Sequence, residues 1–292
     1  MVKATLALGL RSTPQSLGVI GRALGAFAEQ GVDLLIVREE TAGPEGIRGL
    51  LAGEYDFAEF GAVPVVQAAL EGHDPLILLA AEPVSALYVL GRKEILEPSK
   101  LAGGRIGVLS ETGQTGYSAR CMISRWGLEG STQLVPLGTY PAIYRALASS
   151  NIAAGVLTAD YKLAGEIAFG FRELADLGRE FGFQGPVVAT TRRFKQRHAD
   201  IVAGVVKGYV RAIQLFRQQS DEVVSILRRH LGFVDDPQAR AICAFYAERF
   251  RSEPFASEAG VQNVIRSLQG DKTGLTAACV LDRATLAAAL KV

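Results

Sequence analysis

The feature that most limits how this chain can fold is a repeated alternation between short apolar runs and stretches of helical periodicity. Residues 4–10 are an apolar run, closed by the polar break Arg11, Ser12, Thr13, Pro14, Gln15. Beyond it Leu17, Ile20, Leu24 and Phe27 recur at helical spacing, and Gly31 ends that segment. The pattern then predicts a strand over 32–37, a helix over 44–52, a strand over 57–60, a helix over 63–70 and a strand over 76–80. Strands alternating with helices imply βαβ units and a mostly parallel sheet with helices on both faces.

A second unit of the same texture starts near Ser85. Strands are expected over 86–90, 105–109, 134–136, 154–157 and 171–177, with helices from the break at Ser110 to Trp126 and over 142–148. Residues 186–190 read as a strand returning to the first unit. From 199 to 268 the texture becomes almost wholly helical, with Val202, Val206, Tyr209, Ile213 and Phe216 marking one buried stripe. A last helix is expected over 283–290. The expected fold class is α/β with two lobes: residues 1–85 and 187–292 form the first, residues 86–186 are inserted as the second, and a helical C-terminal cover follows. Two connections crossing between lobes, near 83–86 and 186–190, would serve as a hinge.

Length and composition exclude several classes. A chain of 292 residues with 49% hydrophobic residues buries a sizeable core without disulfides. Its 31 basic and 30 acidic residues leave a net charge of +1, so the basic excess of a nucleic-acid binder is missing. Cys121, Cys243 and Cys279 have no CxxC spacing, and His73, His198 and His230 have no HxxxH spacing, so no metal site or cofactor is expected. No apolar run reaches the ~18 residues of a membrane span. The basic start and short apolar run at the N-terminus read as a first strand. The expected setting is extracytoplasmic if an export signal was removed and cytoplasmic if Met1 is the native start.

Four stretches resemble a known family. They are Phe27-Ala28-Glu29-Gln30-Gly31-Val32-Asp33-Leu34, Leu50-Leu51-Ala52-Gly53-Glu54-Tyr55-Asp56-Phe57, Leu101-Ala102-Gly103-Gly104-Arg105-Ile106-Gly107-Val108, and Ala146-Leu147-Ala148 with Ala153-Ala154. Gly260-Val261-Gln262-Asn263-Val264-Ile265 adds a late helix. Together they are similar to the SsuA/THI5-like (NMT1-like) solute-binding proteins of the type II periplasmic binding fold. Ala153 stands where that family carries an acidic residue. The resemblance implies a small organic ligand gripped between the two lobes, a partner that is an ABC-transporter permease, and no resident cofactor. It also implies an alternative, because lyases resembling decarboxylases or a desulfinase share the fold.

Independently of that resemblance, ligands of open parallel sheets bind beyond the carboxyl ends of the strands. This selects Arg11, Ser12, Thr13, Gln15, Glu59, Phe60, Gly61 and Glu82 in the first lobe. In the second it selects Ser110, Glu111, Thr112, Gly113, Gln114, Thr115, Tyr140, Thr158, Asp160 and Tyr161. Ser110 to Gly116 is the most polar loop and opens a helix, where backbone N–H groups favour an anion; the bland alternative is an N-cap by Ser110 or Thr112. Ser12, Thr13 and Gln15 also precede a helix, and capping is their alternative role. Arg11 suits a bidentate carboxylate or sulfonate, or is a solvated charge at a strand end. Tyr140 and Tyr161 either stack on a flat ligand or pack in the core. The acids Glu59, Glu82, Glu111 and Asp160 favour a cationic ligand, so the ligand's sign stays open. No GxSxG, Walker or cysteine-rich motif occurs. Cys121 reads as a buried free thiol, and no histidine is expected to be placed as a general base, so catalysis is the lesser reading.

Overall fold

The computed structural model describes residues 1–269 and 274–291. The chain divides into two compact units, Met1–Val84 with Phe183–Val292 and the inserted Ser85–Gly182. The first unit begins β1 (Val2–Leu8), α1 (Leu17–Ala23), β2 (Val32–Arg38), α2 (Gly43–Ala52), β3 (Phe57–Gly61), α3 (Ala62–Leu70) and β4 (Pro75–Leu79). The inserted unit contains β5 (Leu87–Gly91), β6 (Arg105–Val108), α4 (Gln114–Arg125), β7 (Gln133–Pro136), α5 (Tyr140–Ala148), β8 (Ala154–Thr158), α6 (Ala159–Phe169), β9 (Arg172–Asp176) and α7 (Leu177–Phe181). The chain then returns through β10 (Pro186–Thr191), α8 (Arg192–Arg197), α9 (Ala199–Arg217), α10 (Asp221–Leu231), α11 (Asp236–Arg249), α12 (Glu258–Gln269), α13 (Ala277–Val280) and α14 (Arg283–Ala289).

Each unit holds a five-stranded sheet, ordered β2-β1-β3-β10-β4 in the first and β7-β6-β8-β5-β9 in the second. In the first sheet β1 runs parallel to β2 and β3, and the returning β10 is antiparallel to β3 and β4. In the second β6 is parallel to β7 and β8, and β5 is antiparallel to β8 and β9. Both sheets are therefore mixed, each built on a parallel core of three strands.

Position in the sheet explains the burial patterns. The inner strands β3, β5 and β8 are buried on both faces, as a sheet covered on both sides requires. The edge strands β2, β7 and β9 expose part of their length. The edge strand β4 is fully buried, because Leu281 bridges to Ile77 beside it and α13 and α14 pack over it. Val202, Val206, Tyr209, Ile213 and Phe216 of α9 are all 0% exposed, and α9 packs on α1, α11 and α14. Each such side chain contributes roughly 1.5–3 kcal/mol of transfer free energy, so α9 anchors the first unit.

Helix α1 departs from the expected length. It stops at Ala23, and Gly25 adopts the left-handed region at φ 76, so Leu24 and Phe27 lie outside the helix. Phe27 is nevertheless 1% exposed, with its ring edge-on to Tyr209 at 5.1 Å. Its apolar character was readable; the helical geometry inferred from it was not. No described helix is long and apolar enough to cross a membrane.

Candidate functional site

In the first unit the segment after β1 folds as one tight turn over Thr13–Gln15, with Pro14 at its start. The Ser12 carbonyl accepts from the Gln15 N–H at 3.0 Å and from the Ser16 hydroxyl at 2.6 Å. Ser12 has the extended backbone of a cap, but its hydroxyl accepts from the Gln15 side chain at 3.4 Å instead of from a backbone N–H. Ser12 and Thr13 are wholly buried and Gln15 nearly so. The turn lies beyond the carboxyl end of a parallel strand, the place where open α/β sheets bind ligands.

Arg11 pairs with Glu40, a half-exposed ion pair between the loops after β1 and β2. His230, near the end of α10, faces the same two loops: burial holds its imidazole below the ordinary value, Glu39 and Glu40 raise it, and Arg11 lowers it. His230 thus lies on a helix of the C-terminal cover, as expected, and that helix brings it beside these loops. Sequence spacing carries no sign of the approach, since α10 is brought there by packing on α1 and α11.

Glu59 is not at a strand end. It lies in the middle of β3 with 1% exposure. Its carboxylate accepts from the Leu17 and Gly18 N–H groups at 3.3 and 3.1 Å and from the Tyr209 hydroxyl at 3.0 Å. Burial pushes its pKa up to about 7, against the lowering effect of these three hydrogen bonds. Phe60 is a core residue, its ring against Gly46 of α2. Gly61 is the N-cap of α3 with an ordinary φ of −58, so no left-handed backbone calls for glycine there.

Glu82 is buried and lies 3.4 Å from the Arg249 guanidinium, which also donates to the Val84 carbonyl at 3.0 Å. The Gln184 side chain donates to the Glu82 carbonyl at 3.0 Å and accepts from the Ser257 N–H at 2.7 Å. Arg249 and Gln184 were missed in the sequence, where an arginine in a late helix and a glutamine beside Gly185 look like surface residues.

In the inserted unit Gly113 is the N-cap of α4, and neither Ser110 nor Thr112 takes that place. The Ser110 hydroxyl accepts from the Gly113 N–H at 3.0 Å, and the Thr115 hydroxyl accepts from the Leu109 N–H at 2.9 Å. The loop folds back so closely that a Cβ on Gly116 would meet the Ser110 and Glu111 carbonyl oxygens at 2.2 and 2.6 Å. Gly116 therefore permits this loop, whereas Gly113 has a φ of −84 open to any residue. The Glu111 and Thr112 side chains are exposed, and Gln114 reaches Ser85 at 3.3 Å.

Tyr140 and Tyr161 are 4% and 0% exposed, with ring centroids 5.6 Å apart. Tyr144 joins Tyr161 at 5.5 Å, and Phe169 and Phe171 extend the cluster. Both tyrosines follow the core-packing alternative. The Thr158 hydroxyl donates to the buried Asp160 carboxylate at 2.7 Å, on the first turn of α6. Cys121 is partly exposed rather than buried. Among the described residues no group of three or more His, Cys, Asp or Glu side chains is arranged to hold a metal ion.

Two α/β units with their parallel-strand carboxyl ends furnished with polar loops define the class: a two-lobed protein of the periplasmic binding fold. Residues 14–223 match the family described as NMT1/THI5 like, and the chain belongs to it. An aliphatic sulfonates-binding protein of Escherichia coli K12 is 23% identical over 245 residues, covering 78% of this chain and 76% of that protein. A protein of Bordetella bronchiseptica RB50 has a similar structure, with a TM-score of 0.88 at 17% identity, covering 100% of this chain and 98% of that one. The alkanesulfonate-binding protein SsuA of Xanthomonas axonopodis pv. citri, bound to MOPS, gives a TM-score of 0.76 at 16% identity and covers 97% of this chain and 98% of that chain.

Proposed function

We propose that this protein captures a small organic solute reversibly, with an organosulfonate as the first ligand class to test, and hands it to an ABC-transporter permease outside the cytoplasm. The observation that carries this reading is family membership extending across both α/β units. The sulfonate-binding relatives support the ligand class, and the start of the 12-residue helix α4, behind a closely folded loop, supports an anionic group. The ligand contacts proposed are the turn at Ser12–Gln15 in the first unit and the loop at Ser110–Gly116 in the inserted unit, and the segments near 83–86 and 186–190 are the proposed hinge.

Titration calorimetry with ethanesulfonate, taurine and MOPS tests the reading. One of them should bind saturably at one site and be recovered unchanged after prolonged incubation. Release of sulfite or another product would instead place the protein with the lyases of this fold.

A further inference from the structure

We propose that Glu59 and Tyr209 are positioning residues that hold the ligand-contacting segment after β1, residues 9–18, in its binding geometry from the interior of the first unit. This rests on the assignment of the Ser12–Gln15 turn to the ligand site. Glu59 grips the segment at both ends. Its backbone carbonyl accepts from the Gly9 N–H at 2.8 Å, and its carboxylate accepts from the N–H groups of Leu17 and Gly18. A single residue in the middle of β3 thereby fixes where the polar turn leaves the sheet and where it enters α1.

Tyr209 secures the carboxylate. Its hydroxyl donates to the same oxygen that Gly18 contacts, and its ring is set edge-on against Phe27. The arrangement needs the absence of a side chain at position 18. A Cβ there would lie 3.0 Å from both the Glu59 carboxylate and the Tyr209 hydroxyl and 2.5 Å from Leu6. All the polar partners are buried, so water cannot substitute for them without opening the core. Glu59→Gln replaces one acceptor oxygen with an amide NH2, which cannot accept from the helix N–H groups. Tyr209→Phe removes only the hydroxyl. Both changes preserve side-chain volume, so a loss of binding would report on the position of the segment rather than on a cavity.

The test combines amide exchange by mass spectrometry with ethanesulfonate affinity, for the full chain and for Glu59→Gln, Tyr209→Phe and the buried control Val264→Ala on α12. Exchange should rise selectively over residues 9–18 in Glu59→Gln and less in Tyr209→Phe. Affinity should fall at least tenfold in the first and about threefold in the second. Val264→Ala should lower the melting temperature yet leave both readouts unchanged. Unchanged exchange or unchanged affinity in Glu59→Gln overturns the proposal, as does a loss that Val264→Ala reproduces. If Glu59→Gln does not fold, Tyr209→Phe decides by the same criteria. If the parent protein binds no sulfonate, the functional reading fails separately, and selective exchange over residues 9–18 still decides whether Glu59 holds the segment.

Discussion

The guanidinium of Arg249 lies 3.4 Å from the carboxylate of Glu82, joining residues 167 positions apart beside the connection that leaves the first unit. Glu82 is 1% exposed, so its charge depends on partners inside the fold. Gln184, on the returning connection, holds the Glu82 carbonyl from the other side. One late helix, α11, thus secures the outgoing segment, and Gln184 ties the incoming segment to it.

Arg249→Ala should therefore destabilise the protein by roughly 1.5–3 kcal/mol, the usual net value of a hydrogen bond to a charged group. Urea unfolding of the single variants and of Arg249→Ala combined with Glu82→Gln measures this. The double variant should lose less than the sum of the single losses, because each single change already removes the same contact. Strict additivity would show that the two residues do not act together.

Glu59 predicts a pH dependence of stability. Its folded pKa is raised from the ordinary carboxylate value to about 7, so between about 4.5 and 7 the folded state holds a proton that the unfolded state has released. The favourable contribution is present below pH 4.5 and is lost as pH rises through 7. It amounts to on the order of 3 kcal/mol. Urea unfolding at pH 5 and pH 8 should show the parent losing stability relative to Glu59→Gln by about that amount. Parallel pH profiles for the two proteins would refute this account of Glu59.

The loop before α4 gives a comparison of two glycines. Gly116→Ala should damage stability by about 1–3 kcal/mol and displace the loop, since its Cβ would run into two backbone carbonyls. Gly113→Ala should cost little, because its backbone is already extended. Melting temperatures and sulfonate affinity of both variants check the order. Equal effects would mean that the Ser110–Gly116 loop does not fold as described.

Much of the architecture was legible because apolar runs and helical periodicity both follow from burial. The runs at 57–60, 76–80 and 154–157 lie within one residue of β3, β4 and β8, and the α9 stripe is buried at all five positions. The site was less legible. Glu59 read as a strand-end acid because the strand's end was drawn at Phe60, which leaves the direction of its side chain undetermined. Its partner Tyr209 is 150 residues away, so no local pattern links them. Arg249 and Gln184 escaped notice for the same reason. Tyr140 and Tyr161 begin helices as expected, but their rings turn inward to an aromatic cluster, where burial of their surface outweighs exposure at a strand end.

The most direct measurement is titration of the protein with ethanesulfonate, taurine and MOPS by calorimetry, with each ligand analysed after incubation. The account predicts one saturable site for at least one of them, intact ligand at the end, and at least tenfold weaker binding in Glu59→Gln. Absence of binding to all three, or conversion of any of them to product, would contradict it.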